Sequence, residues 1–168
     1  MPGPMAQALI AHLDSVFVGP NGDYPATLEA LDGVSAAQAL WKPAPASPAS
    51  RGQARGQAPG GNSIWQIVDH LTASKQWQID MLEKGQASSP PWTRPEGDET
   101  AWRATVARLQ DAHIRLKIAL GRVADADLLK PQPAEQNRTL LELILSASSA
   151  HEAHHSGQID YLKGLQSG

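Results

Sequence analysis

The amino-acid sequence predicts an all-α protein, a bundle of four long helices. Two observations carry that expectation. Four separate stretches place apolar residues at steps of three and four, the spacing of one helical face. No stretch sustains the period-two alternation of a half-buried strand, so no strands are expected.

The first helix is expected from Met5 to Val18, with Ala8, Leu9, His12, Leu13 and Val16 on its apolar side. Gly19-Pro20-Asn21-Gly22 breaks it. A short helical pattern runs from Tyr24-Pro25 through Leu28 and Leu31 to Asp32-Gly33. Ser35 and Gln38 form a capping-box pattern that opens another short helix, ending near Trp41 before Pro43. Residues 43–61 are mostly Pro, Ala, Ser, Gly and Gln, lack apolar periodicity and read as a mobile loop.

Ser63 is the expected cap of the second long helix, which stops at Gly85. Its inner side carries Ile64, Ile67, Leu71, Ser74, Trp77, Gln78 and Met81. A Pro-rich connection, Gln86 to Gly97, contains Trp92, and Asp98 caps the third helix. The third stripe is Trp102, Val106, Leu109, His113, Leu116, Leu120 and Val123. A short turn spans Asp125 to Leu129, and Pro131 and Pro133 make a break. Asn137 is the expected cap of the fourth helix, with Thr139 as the other candidate. The unequal connections suit an up-down-down-up order with crossover links. At 168 residues the chain is expected to form one domain around one core.

The fourth stripe holds the chemistry. It runs Leu141, Ile144, Ser148, His151, His155, Ile159, Leu162, with two histidines where a core helix normally has Leu or Ile. Imidazoles four residues apart on one face can converge on a single metal ion. His70, at the edge of the second stripe, offers a third ligand, and His113 on the third stripe is placed nearly as well. His12 is a weaker case. Three histidines leave coordination positions open, as a catalytic site requires. His154 is one step off the stripe and reads as a boundary group or a support for the ligands. Glu152 and Asp69 adjoin candidate ligands, but neighbouring helical residues point about 100° apart, so neither should bind the same ion. Glu152 reads as a boundary charge or as a group orienting an imidazole, and Gln158 as a structural residue or a donor to a bound molecule. Trp65, Trp77 and Trp102 read as core, and Trp92 as lining a cleft or covering the bundle end.

Composition narrows the function. There is no cysteine, which excludes disulfides, Cys-type zinc sites and a thiol nucleophile on the chain itself. A net charge of -3 gives no electrostatic basis for nucleic-acid binding. No apolar run reaches the length of a membrane span, and the N-terminus is unlike a secretory signal, so a cytoplasmic location is expected.

Two stretches resemble the DinB-like superfamily of metal-binding four-helix bundles. One is Asn62-Ser63-Ile64-Trp65-Gln66-Ile67-Val68-Asp69-His70-Leu71; the other is His151 to Ile159, with His-x-x-x-His followed by Gly-Gln-Ile. Leu28 to Ser35 and Trp41-Lys42-Pro43 are similar as well. The resemblance implies a divalent metal, commonly nickel or zinc, held by His70, His151 and His155, and a homodimer. It assigns no ligand to His113. It also implies a thiol transferase-like or isomerase-like activity that uses a low-molecular-weight thiol with a small-molecule substrate. The long Pro/Ala/Gly segment and the extra His154 depart from the simplest family pattern. Two other functions stay open: a metal-dependent hydrolase, and a non-catalytic metal-stabilised module acting in stress response or through partners. In either catalytic version the reacting group is a water or thiolate brought to the ion, because the chain has no sulfur nucleophile of its own.

Overall fold

A computed structural model describes residues 1–20, 22–43, 61–88 and 95–167. Most of the segment expected as a loop, and Trp92, lie outside the described residues. The helices are α1 (Pro4–Phe17), α2 (Thr27–Leu31), α3 (Ala36–Leu40), α4 (Ile64–Lys84), α5 (Glu99–Leu120), α6 (Asp125–Leu128), α7 (Leu140–Leu145) and α8 (His151–Ser167). The architecture is an all-α helical bundle in which α4 packs along α5, and α8 lies against α2 and α4.

Local chemistry explains most of the boundaries. Ser35 accepts from the Gln38 amide and Ser63 from the Gln66 amide, each in a full capping box. Asp98 accepts from the Ala101 amide at the start of α5. Gly85 closes α4 in the left-handed conformation, φ 71°, which glycine adopts without strain. Two helix starts also receive a carboxylate from a distant part of the chain. Asp125 accepts from the amides of Met5 and Ala6 at 2.9 and 3.1 Å, and Glu99 accepts from the amide of Ala36 at 2.9 Å. These carboxylates satisfy amides that no neighbouring side chain reaches.

Four expectations are corrected. The cap of the fourth helical stretch is Thr139, boxed with Glu142, whereas Asn137 sits in a turn at φ 59°. A two-residue antiparallel ladder joins Pro131–Gln132 to Arg138–Thr139, too short to leave a periodic signature in the sequence. On α1 the buried face includes Ala6 and Phe17, while Ala8 is exposed. The fourth stretch is also not one continuous α-helix. Ser146–Ala150 form a π-helical turn between α7 and α8, with the His151 amide donating to the Ser146 carbonyl five residues back. A π turn adds one residue and shifts every later side chain around the axis.

The apolar core falls into two clusters. One gathers Phe17, the α2 and α3 residues, Ile64 to Leu71, Trp102, Leu109, Ile159 and Leu162. The other gathers Ala6 to Leu13, Ile79, Met81, Leu116 to Leu120, Leu128 and Leu140 to Ile144. Trp65 and Trp102 pack with ring centroids 5.3 Å apart, and the Trp102 indole N–H donates to the Val34 carbonyl at 2.7 Å. Trp77 is only partly buried. On each long helix the positions between the two clusters include polar residues: Asp14, Lys75 and Gln78, His113, then Ser148, Glu152, His155 and Ser156. A polar stratum therefore crosses the bundle, and the chemistry lies in it.

Truncating a side chain in the second cluster should show how tightly it packs. Leu116→Ala, at a fully buried position, should lower unfolding free energy in urea by about 2–5 kcal/mol. Ile118→Ala, half exposed on the same helix, should change it by less than about 0.5 kcal/mol.

Candidate metal centre

α4 and α8 bring His70, His151 and His155 together. The Nε2 atoms of His70 and His151 are 2.9 Å apart, and those of His151 and His155 are 3.0 Å apart. One ligand atom from each of the three lies within 4.8 Å of the others. The rings stand nearly perpendicular, at 76° to 81°. Nitrogens bound at about 2.0–2.1 Å around a tetrahedral ion sit roughly 3.3 Å apart, so this spacing suits a metal.

Proton accounting favours a cation among these nitrogens. Gln158 Oε1 lies 2.7 Å from His155 Nδ1. An oxygen can only accept, so Nδ1 carries the hydrogen and His155 Nε2 presents a lone pair. His151 Nε2 would need its own hydrogen to meet that lone pair. His151 Nδ1 is buried without a well-formed hydrogen bond, but the Ala147 carbonyl acts on this ring and favours the hydrogen on Nδ1, which leaves a second lone pair on Nε2 facing that of His155. A cation among the three Nε2 atoms removes the conflict between the facing lone pairs.

The ring pKa values agree. Burial, reinforced by the neighbouring His151, lowers His70 to about 4. Burial and His151 lower His155 to about 3, against the raising effect of Gln158. Burial also lowers His151, and the Ala147 carbonyl opposes that shift. All three are neutral near pH 7 and ready to donate lone pairs. His70 and His151 remain partly exposed while His155 is buried, so the cluster is reachable from one side.

The other candidates are placed elsewhere. His154 is exposed, its ring centroid 5.3 Å from that of His155. His12 Nε2 pairs with Ser149 Oγ at 2.9 Å, on the π turn. Asp69 lies 3.8 Å from Arg108. His113 is buried away from the cluster. Its Nε2 lies 2.9 Å from Asp14 Oδ1, its Nδ1 lies 3.3 Å from Lys75 Nζ, and its ring stacks on Phe17 at 4.1 Å. The lysine can only donate and the carboxylate can only accept, so His113 is held as the Nε2–H tautomer. Burial and the Lys75 charge push it down to about 4.

Glu152 departs furthest from expectation. It is buried, not a boundary charge, and its carboxylate turns to Lys75 at 2.9 Å and Thr27 at 3.2 Å instead of to an imidazole. Burial pushes this carboxyl up and the Lys75 amine down, and each partner opposes the other's shift. Of Glu152 and Gln158, only Gln158 hydrogen-bonds to a clustered ring. Lys75 was missed. Its signal was its place four residues after Leu71 and four before Ile79, a charge on a buried stripe.

A family model described as the DinB superfamily matches residues 23–159. No curated protein matches the chain, and no solved structure does.

The depressed histidines set a pH dependence with a definite sign. The unfolded chain takes up a proton at His113 near the ordinary value of 6.5, and the folded chain only near 4. Its stabilisation is therefore complete above about pH 6.5 and is lost as the pH falls toward 4, at about 1.4 kcal/mol per pH unit for each proton. Urea unfolding of the metal-free protein between pH 7 and 4 should show the decline, and His113→Phe should shallow its slope by about one proton. An unchanged slope in that variant would contradict the assignment.

Proposed function

The chain belongs to the DinB superfamily, and on that premise we propose a divalent-metal-dependent enzyme whose ion is held by His70, His151 and His155. The proposed reaction is transfer of a low-molecular-weight thiol to a small electrophilic substrate. The observation that carries the reading is the convergence of three neutral imidazoles at a partly exposed point between two helices. A divalent cation there supplies Lewis acidity and favours the ionised form of a thiol or water brought to it.

The chain's own residues supply the setting. The imidazoles are uncharged, so they leave the ion its full positive charge. Gln158 fixes the His155 tautomer through Nδ1, so that Nε2 is free to donate its lone pair. The exposed edges of His70 and His151 leave a side from which substrate can arrive. The sulfur must come from outside, because the chain contains no cysteine. Nickel or zinc as the ion, a homodimer as the assembly and a reducing, cytoplasmic setting complete the reading. No helix among the described residues is long and apolar enough to cross a membrane.

One observation favours a second reading. The three histidines come from two helices distant in sequence, so an ion would also staple α4 to α8. On that reading the metal stabilises the bundle and the protein works without turnover.

Two measurements separate these readings. Metal analysis of purified variants should show roughly one ion per chain in the unaltered protein. His70→Ala, His151→Ala and His155→Ala should each weaken binding by more than about 100-fold, since outer partners alone are worth about 10–100-fold. His154→Ala and His113→Ala should keep the ion. Unchanged metal content in His70→Ala would remove that residue from the site. Thiol consumption should then be followed against a panel of electrophiles. The enzyme reading expects turnover that disappears on chelation and in His151→Ala while the helical signal persists. If the loaded protein turns over nothing and chelation lowers only its melting temperature, the staple reading replaces it.

A further inference from the structure

The Lys75–Glu152 pair is costly for stability alone. Both side chains are 2% exposed, and replacing a buried ion pair with apolar residues of similar volume is often neutral or stabilising. Its location suggests another use. The pair joins α4 to α8, the two helices that carry the clustered histidines. Glu152 directly follows His151, about 100° further round α8. The π turn Ser146–Ala150 ends just before it.

That turn rotates everything after it relative to an unbroken helix. The direction His151 and His155 face is therefore not inherited from the packing of α7. It depends on where the chain is caught again, and Glu152 is the first buried residue after the turn. Glu152 is gripped at both oxygens, by Lys75 Nζ and by Thr27 Oγ1. Thr27 Oγ1 also lies 3.0 Å from Ser156 Oγ, which donates to the Glu152 carbonyl at 3.0 Å. Lys75 is itself held, 3.3 Å from His113 Nδ1 and 4.6 Å from the centre of the Phe17 ring.

We propose that the Lys75–Glu152 pair, braced by Thr27 and Ser156, is a positioning device for the three-histidine centre. It fixes the rotation of α8 about its own axis, so that His151 and His155 present Nε2 toward His70. This rests on the reading of those histidines as the metal site. None of the four belongs to the three-histidine group itself; they act through the two helices that carry it.

The test is a zinc(II) titration of the full chain, with the visible spectrum of the cobalt(II) form as a second readout. The proteins compared are the unaltered chain, K75M/E152L and T27V. K75M/E152L should be as helical as the unaltered protein and at least as resistant to urea without metal. It should bind zinc about 10–100-fold more weakly, as for outer partners of metal ligands, with an altered cobalt spectrum. T27V, a near-isosteric change that frees one Glu152 oxygen, should weaken zinc binding by a few-fold. Zinc bound equally by all three proteins would overturn the positioning role while leaving the metal centre standing. Affinity lost only in step with urea resistance would overturn it too, by showing a purely structural pair. If K75M/E152L fails to fold, T27V decides alone. Absence of zinc binding in the unaltered chain would remove the metal reading, and this proposal with it.

Discussion

Lys75 carries an amine into the centre of the bundle, where an unpaired ammonium would be prohibitively desolvated. The surrounding structure answers that one constraint. Glu152 of α8 supplies the counter-charge, His113 of α5 an acceptor nitrogen, and Phe17 of α1 a ring face. Thr27 of α2 completes the carboxylate, and Asp14 and Lys117 continue the network toward solvent. Five helices thus meet at one polar stratum, with an apolar cluster on either side of it. The apolar clusters supply the drive to collapse, but hydrophobic burial is non-directional. Hydrogen bonds with defined donors and acceptors are what single out one arrangement of helices.

The three-histidine cluster lies in the same stratum and follows the same logic with a different outcome. Burial makes protonation of the rings unfavourable, so they stay neutral, and their Nε2 lone pairs face one another. In the Lys75 network the ammonium finds a carboxylate and an imidazole nitrogen as acceptors. In the histidine cluster the Nε2 atoms of His151 and His155 face each other at 3.0 Å, and His151 Nδ1 makes no well-formed hydrogen bond. The two polar groups of this stratum thus differ: the Lys75 network pairs its charges within the chain, and the histidine cluster gathers three ligand-type side chains that could hold a metal ion.

Much of this was legible in the sequence. The apolar stripes, the caps at Ser35, Ser63 and Asp98 and the stop at Gly85 are local features, decided by side chains within a turn of one another. His151 and His155 were visible as polar residues on a core stripe. Other features were not legible, for particular reasons. The π turn has no compositional signature, since Ser146-Ala147-Ser148-Ser149-Ala150 is compatible with an ordinary helix; its polar contacts reach Gln78 and His12 on other helices. The cap at Thr139 displaced Asn137 because the two-residue ladder places Asn137 in its turn.

What the sequence alone determined is the helical class and a short set of histidines of metal-ligand type, because periodicity and ligand type are properties of neighbouring positions along one chain. Position left His70 and His113 nearly equal and only the family resemblance favoured His70; the tertiary structure is what brings His70, and not His113, beside His151 and His155. The choice turned on which helix face meets α8. It also decided that Glu152 is buried, because a carboxylate can leave water only when a distant residue, here Lys75, comes to meet it, and no local pattern records that meeting.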